Sequence, residues 1–247
     1  MFSFFNKKPK IRPSFDMVGF DMHNHMLPGI DDGSPDVDTS LHLMDTMQEL
    51  GFKKFVCTPH ILSDVHPNNK HTISTAYHQL LQAQKQRSGF TDFDYAAEIM
   101  VDYDFESYFE KDKILSFTDK KYVLVEMSFA SESPNIRDAI FKLILQGYSP
   151  ILAHPERYNY YHHNFDVYEE LAYTGCDMQI NLLSLEGYYG KPVKQIAEKL
   201  IDKGLISWVG SDLHHENHLN AMINLANNTK ALKYIEKIKH LKNQEHV

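Results

Sequence analysis

The sequence is poor in cysteine, and this shortage argues against two kinds of chemistry. Its two cysteines, Cys57 and Cys176, cannot form a disulfide framework, which is consistent with a reducing compartment. Neither begins a Cys-x5-Arg phosphate loop, because the sixth residue after it is Ser63 in the first case and Leu182 in the second. The sequence therefore speaks against a thiol-based phosphatase.

Long apolar runs are also missing. No stretch approaches the roughly 20 consecutive apolar residues that a membrane-spanning helix needs. The apolar segment at residues 1–5 is too short for the core of a signal peptide, and the nearest lysines follow it instead of preceding it. We therefore expect a cytoplasmic protein without stable membrane insertion.

The sequence also lacks clusters of positive charge and flexible linkers. The formal net charge is -8, and Lys and Arg are not concentrated anywhere, so nucleic acid is not an expected partner. No tract rich in Pro, Gly or Ser divides the 247 residues, a length that fits one α/β domain. We predict an N-terminal arm at residues 1–17 and a single domain at residues 18–247.

Strand and helix patterns alternate along the chain seven times, which is typical of a parallel sheet with helical crossovers. Strands are predicted at residues 18–23, 54–58, 93–98, 122–126, 149–154, 177–181 and 207–211. Helices are predicted from a Ser34 cap to Leu50, around residues 73–81, at 135–146, 166–174 and 193–203, and from Leu219 and Thr229 onward. The fold class is therefore α/β, and seven repeats favour a (β/α)7 barrel of the TIM type.

Histidine is abundant, with 15 residues, and many of the residues able to bind a metal ion fall at the ends of the predicted strands. They are His23, His25, His60, Glu98, Glu126, His154, Asp212 and His214. In a β/α barrel the carboxyl ends of the strands converge on one mouth. We therefore expect these side chains to lie close together, although ordinary loop histidines and structural salt bridges are the alternatives for each one alone.

Such a mouth would hold nitrogen and oxygen ligands suited to Zn, Mn or Fe. It would also gather four carboxylates, namely Glu98, Glu126, Asp212 and either Asp31 or Asp32. Without cations these carboxylates would repel a phosphate group, whereas three divalent ions would outweigh them and attract one.

Arg157 follows His154 in the same loop and is one of only four arginines. Its guanidinium group could bind two oxygens of a phosphate group. The alternative is an ion pair with the neighbouring Glu156.

The motifs together resemble the polymerase and histidinol phosphatase (PHP) superfamily, and within it the bacterial protein-tyrosine phosphatases of capsule and exopolysaccharide synthesis. They are Asp-Met-His-Asn-His at 21–25, Asp-Asp-Gly at 31–33, Thr-Pro-His at 58–60, Ala-Glu-Ile at 97–99, Val-Glu-Met-Ser at 125–128, Ala-His-Pro-Glu-Arg-Tyr at 153–158 and Gly-Ser-Asp-Leu-His at 210–214. The resemblance extends from Phe20 to about His214.

The resemblance implies a distorted seven-stranded barrel with three divalent metal ions, most often Mn, with Fe or Zn as alternatives. The implied ligands are His23, His25, Asp32, His60, Glu98, Glu126, His154, Asp212 and His214, with Glu98 bridging between ions. Arg157 matches the phosphate-contacting arginine of the family. Relatives carry a second arginine shortly after the final Asp-x-His, where this chain has His215–Leu219 and no arginine, so His218 is at best a substitute.

The implied activity is the hydrolysis of phosphotyrosine by a metal-activated hydroxide, and the implied partner is a phosphorylated bacterial tyrosine kinase of polysaccharide export. Two other functions are compatible with the same residues. One is a different PHP phosphoesterase, acting on histidinol phosphate or a small sugar phosphate, and the other is a non-catalytic scaffold protein that retains the fold.

Overall fold

The computed structural model of the chain describes residues 11–109 and 114–247. The strands are β1 Phe20–Asp21, β2 Lys54–Cys57, β3 His60–Ile61, β4 Asp92–Tyr95, β5 Glu98–Met100, β6 Tyr122–Glu126, β7 Ser149–Ala153, β8 Asp177–Asn181 and β9 Trp208–Gly210. The helices are α1 Val37–Glu49, α2 Lys70–Lys85, α3 Ile136–Leu145, α4 Asp166–Tyr173, α5 Leu182–Glu186, α6 Lys191–Asp202, α7 Glu216–Leu225 and α8 Thr229–Glu236. In the described ranges, none of these helices has the length and apolar character needed to cross a membrane.

All paired strands run parallel, in two sheets. One sheet has the order β1-β2-β4, and the other has the order β3-β5-β6-β7-β8-β9. The crossovers between successive strands are mainly helical, as a parallel ladder requires. The predicted α/β class with parallel sheets is therefore confirmed.

The third predicted strand, at residues 93–98, is wrong as a single element. Its first half is β4, which pairs with β2, while Glu98 begins β5, which pairs with β3 and β6. The break lies opposite Pro59, which has no N–H group to donate to a ladder. Ala96 and Glu98 still donate backbone hydrogen bonds to the carbonyl groups of Cys57 and Pro59, so the path of the chain continues from one sheet to the other.

The first helix also begins later than predicted. Its N-cap is Asp36, whose side chain accepts a hydrogen bond from the backbone of Thr39, whereas Ser34 is buried before the helix. An aspartate satisfies the free N–H groups of a first turn as well as a serine does. The backbone of Ser34 is instead held in the preceding loop by hydrogen bonds with His25 and Gly29. The short helix α5 was not predicted.

Part of the predicted N-terminal arm lies outside the described residues, namely residues 1–10. The remainder contacts the domain: Phe15 is fully buried and stacks on Phe52 with ring centroids 5.2 Å apart. The Ser14 hydroxyl donates a hydrogen bond to the carbonyl of Ala226 at 2.7 Å.

Two apolar layers support the carboxyl ends of the strands. The larger layer lies between the sheets and the surrounding helices. The smaller one includes Phe20, Val56, Leu124, Ile151 and Trp208, which lie on strands of both sheets. Because these side chains are almost fully buried against one another, the strands that carry them are held in fixed positions.

The first and last strands meet through a side chain rather than a regular ladder. The Asn243 side-chain amide donates hydrogen bonds to the carbonyl groups of Phe20 and Val209, both at 2.8 Å. It also accepts one from the N–H group of Val209 at 3.0 Å. Further along the same seam, backbone bonds join Asp212 to His23 and His25 to Leu213.

We predict that Asn243→Ala lowers the free energy of unfolding by about 2–3 kcal/mol, because it leaves three buried backbone groups without partners. Urea denaturation followed by circular dichroism would measure the change. Gln244→Ala is the matched control, because Gln244 is exposed and its side-chain amide donates a hydrogen bond to the carbonyl of Met17. Equal losses in the two variants would contradict the role of Asn243 in the seam.

Candidate metal centre

The sequence-predicted ligands come together in one cluster, from residues that begin, end or follow a strand. His23 and His25 follow β1, His60 begins β3, Glu98 begins β5, Glu126 ends β6, His154 follows β7, and Asp212 and His214 follow β9. Asp32 reaches the same place from the loop before α1. The structure therefore brings these separate segments together, although the positions of His60 and Glu98 at the starts of short strands were not expected.

Glu98 lies at the middle of the cluster and is fully buried. Its Oε2 atom is 3.2 Å from His23 Nε2, 3.1 Å from His60 Nδ1 and 3.4 Å from His25 Nε2. Its Oε1 atom is 2.9 Å from His154 Nε2. One carboxylate thus faces four imidazole rings from three different segments of the chain.

Three overlapping groups of potential ligand atoms surround this carboxylate. They are His23, His25, Glu98 and Asp212; His25, Asp32, His60 and His214; and His60, Glu98 and Glu126. Within each group the ligand atoms all lie within 4.8 Å of one another. His154 is next to the third group, since its Nε2 atom is 4.0 Å from Glu126 Oε2.

The two adjacent aspartates, between which the sequence could not decide, have different surroundings. Asp31 Oδ2 lies 2.8 Å from His25 Nδ1 and also accepts a hydrogen bond from the N–H group of His60. Asp32 points outward, with Oδ1 3.4 Å from His214 Nε2 and 3.6 Å from His60 Nε2. Asp32 is therefore placed to share a ligand set, while Asp31 orients an imidazole.

Several residues that hold the cluster in place were missed by the sequence reasoning. Gln179 Oε1 is 2.9 Å from His23 Nδ1, and the Asn181 amide donates to Asp212 Oδ2 at 2.7 Å. Both lie on β8, two residues apart, and both are fully buried. A polar residue at every second position of an apolar strand was the signal that could have found them.

The backbone is unusual at two members of the cluster. His154 and Asp212 have φ values of +33° and +51°, in the left-handed region that residues with a side chain seldom adopt. Such strain persists only where surrounding contacts determine the conformation, and it is concentrated at functional sites. Nearby, Gly210 has no space for a side chain, because a Cβ atom there would lie 2.6 Å from the Cβ atom of His23.

The electrostatics of the cluster favour positive charge. Burial alone would lower the pKa of His60, but the carboxylates of Glu98 and Glu126 outweigh it and raise the pKa to about 9. Burial alone would raise the pKa of Glu98, yet the neighbouring His23 and His60 hold it well below its usual value. A divalent cation would satisfy the same preference.

Unpaired buried atoms provide a direct test of whether the residues fit a metal ion. Glu98 Oε2, His60 Nδ1 and His154 Nδ1 are buried and have no hydrogen-bond partner of acceptable geometry. Such atoms are costly unless something binds them. Glu98 Oε2 and His60 Nδ1 lie 3.1 Å apart, which fits a carboxylate ligand with an imidazole ligand beside it.

A cleft of about 190 Å³ opens above the cluster and is lined by Glu126, His154 and Asp212, among others. Arg157 lies at its edge, with the guanidinium carbon 4.4 Å from the ring centroid of Phe129 and 4.2 Å from that of Tyr189. These rings hold the planar guanidinium group from both sides.

The alternative ion pair between Arg157 and Glu156 is not formed. Arg157 instead donates to Asp212 Oδ2 at 2.7 Å, while Glu156 is buried and accepts hydrogen bonds from the Asn181 backbone and the Ser184 hydroxyl. Arg157 therefore faces the cluster that contains Asp212.

His218 also lines the cleft, in the region where relatives would carry a second arginine. Its Nδ1 atom lies 3.2 Å from the carbonyl oxygen of Asp212 and 3.3 Å from the backbone nitrogen of His214. Its ring also packs edge-on against Tyr188, with centroids 5.1 Å apart.

The chain is similar to proteins that are named tyrosine phosphatases. It is 30% identical over 195 residues to the tyrosine-protein phosphatase YwqE of Bacillus subtilis, covering 79% of this chain and 77% of that protein. It is 28% identical over 226 residues to the putative tyrosine-protein phosphatase CapC of Staphylococcus aureus, covering 90% of this chain and 88% of the other. It is 27% identical over 200 residues to CpsB of Streptococcus pneumoniae, covering 79% of this chain and 82% of the other.

A solved structure agrees with these similarities. It is one of the crystal structures of YwqE from Bacillus subtilis and CpsB from Streptococcus pneumoniae, which are described as metal-dependent tyrosine phosphatases. It matches with a TM-score of 0.78 and 27% identity, over 91% of this chain and 94% of the other. The family model for capsular polysaccharide synthesis, CpsB/CapC, matches residues 19–245. The resemblance predicted from the sequence motifs is thus confirmed, and the chain belongs to the CpsB/CapC family.

Proposed function

We propose that this protein is a metal-dependent protein-tyrosine phosphatase that acts in capsular or exopolysaccharide synthesis. The observation that carries the proposal is the set of three overlapping ligand groups around Glu98, with Arg157 at the edge of the same cleft. The names of the relatives YwqE, CapC and CpsB support phosphotyrosine as the substrate class.

We assign three divalent cations to the three ligand groups. The proposed ligands are His23, His25, Asp32, His60, Glu98, Glu126, His154, Asp212 and His214. Glu98 takes part in two of the groups, which supports its assignment as a bridging ligand. Mn is the cation we favour, with Fe or Zn as alternatives, because imidazole and carboxylate ligands without any thiolate suit these ions.

When bound, the cations would supply Lewis acidity and activate a water molecule to attack phosphorus at neutral pH. The side chains of the protein orient the ligands and bind the substrate. Asp31 and Gln179 orient His25 and His23, and Arg157 binds the phosphate oxygens on which negative charge accumulates. A tyrosine leaving group has a pKa of about 10, so a strong general acid is not required, and none is assigned.

We also propose that the two sheets form one distorted (β/α)7 barrel. Backbone bonds from Ala96 to Cys57 and from Glu98 to Pro59 support continuity on one side. The Asn243 amide and the Asp212–His23 backbone bond support closure between β1 and β9 on the other. The partner that we propose is a phosphorylated bacterial tyrosine kinase of polysaccharide export, encountered in the cytoplasm.

We expect excess EDTA to reduce turnover of a phosphotyrosine peptide by at least about 100-fold, because the nucleophile depends on the cations. Added Mn²⁺ should restore the activity, and metal analysis of the purified protein should show bound divalent ions. Full activity in excess EDTA would contradict the proposal. Turnover of histidinol phosphate in preference to the peptide would instead favour another phosphoesterase activity.

The variant Arg157→Ala should lower kcat/KM for the peptide by about 100-fold, since one preformed donor to the phosphate group is lost. The bound metal content should stay the same. Arg87→Ala is the matched control, because Arg87 pairs with Asp45 away from the cleft, and its kinetics should not change. Loss of metal in Arg157→Ala would show that the arginine supports the ligands rather than the substrate.

The variant Asp31→Asn should weaken metal binding by about 10- to 100-fold, because a neutral amide orients His25 less strongly than a carboxylate does. Isothermal titration of the metal-free protein with Mn²⁺ would measure the affinity. Asp38→Asn changes the same charge at an exposed position in the first turn of α1 and should leave the affinity unchanged. Identical affinities in all three proteins would rule out an orienting role for Asp31.

A further inference from the structure

A second cavity, of about 440 Å³, lies beside the cleft, and we call it the side groove. It is formed by the segments that follow β3, β5 and β6. Leu62, Met100 and Pro134 contribute apolar walls, and Tyr103 stands at its edge with 73% of its surface exposed. A groove of this size and character can enclose a large apolar side chain.

The side groove and the cleft are built from the same chain segments. His60 lines the cleft, and Leu62, two residues later, lines the side groove. Likewise, Glu126 and Phe129 line the cleft while Ser128 lines the side groove. The parallel pairing of Met100 with Glu126 places the floor of the side groove directly beside a proposed metal ligand.

The rim of the side groove is acidic. Asp102 is half-buried there, and among the described residues its carboxylate accepts hydrogen bonds from the backbone N–H groups of Ser63 and Asp104, at 3.4 and 2.9 Å. Among the residues that the structure describes, no Lys, Arg or His forms an ion pair with Asp102. Glu132, which also lines the groove, is paired with Arg137. The rim therefore keeps a negative charge available for a cationic ligand.

We propose that the side groove binds the polypeptide segment next to the phosphotyrosine, with a large apolar side chain on its floor and a basic residue near Asp102. The inference rests on the proposed function and specifies its substrate class. A phosphotyrosine that reaches the cluster leaves its own backbone at the mouth of the cleft, so neighbouring residues must lie along the adjoining surface. The side groove is built from the same chain segments as the cleft and offers apolar walls and, within the described part of the chain, a carboxylate without an ion-pair partner.

Binding energy from such a remote part of a substrate affects the peptide and not a small phosphate ester. The test therefore compares kcat/KM for a phosphotyrosine peptide with kcat/KM for p-nitrophenyl phosphate. Tyr103→Ala removes the edge of the side groove, and Ser131→Trp fills it. Each variant should lower kcat/KM for the peptide by about tenfold and leave that for p-nitrophenyl phosphate unchanged.

Tyr173→Ala is the matched control, because Tyr173 is 93% exposed on α4 and lies outside the side groove. It should change neither value. With the unaltered protein, a peptide carrying an apolar residue and Lys beside the phosphotyrosine should be preferred to one carrying Glu in place of Lys.

Two results would count against these ideas in distinguishable ways. Active protein in which Tyr103→Ala and Ser131→Trp affect both substrates equally, or neither, would overturn the side groove as a peptide site and leave the phosphatase activity standing. Metal-loaded protein that hydrolyses neither substrate would overturn the proposed function, and the inference with it.

Discussion

The structure of the mouth depends on one electrostatic constraint, which is the burial of several carboxylates in a small volume. Glu98, Glu126 and Asp212 are each almost fully buried, and ionised carboxylates are stable in such a place only beside positive charge. The surrounding imidazoles and Arg157 meet part of that requirement. The positive charge that the carboxylates still require explains why the pKa of His60 is raised and why buried ligand atoms lack hydrogen-bond partners.

The carboxylates and imidazoles of the cluster are in turn held in place by residues around them. His23 and His25 need fixed orientations, which Gln179 and Asp31 provide through the opposite ring nitrogens. Asn181 and Arg157 hold the outer oxygen of Asp212. These contacts join segments far apart in sequence, so the cluster also ties the strand ends together.

The sequence predicted the α/β class, the positions of most strands and the grouping of the candidate ligands, because apolar runs that end in His, Asp or Glu are local signals. It could not predict the break between β4 and β5, because residues 92–100 contain no Gly or Pro and the interruption comes from Pro59 on the neighbouring strand. It could not separate Asp31 from Asp32, since adjacent identical residues differ only in where the turn directs them. The partner of Arg157 depends on Asp212, 55 residues away, which lies near because β7 and β9 both pair with β8.

The Asn243 amide, which joins the first strand to the last, has a consequence for how the protein is made. Asn243 follows every helix and strand described above, so the seam next to Phe20 and Val209 cannot form until the ribosome has translated almost the whole described chain. Domains synthesised from the N-terminus begin to collapse earlier than this. The nascent chain therefore exposes an unpaired edge of β1 throughout most of its synthesis, and that edge is open to pairing with another chain until the seam forms.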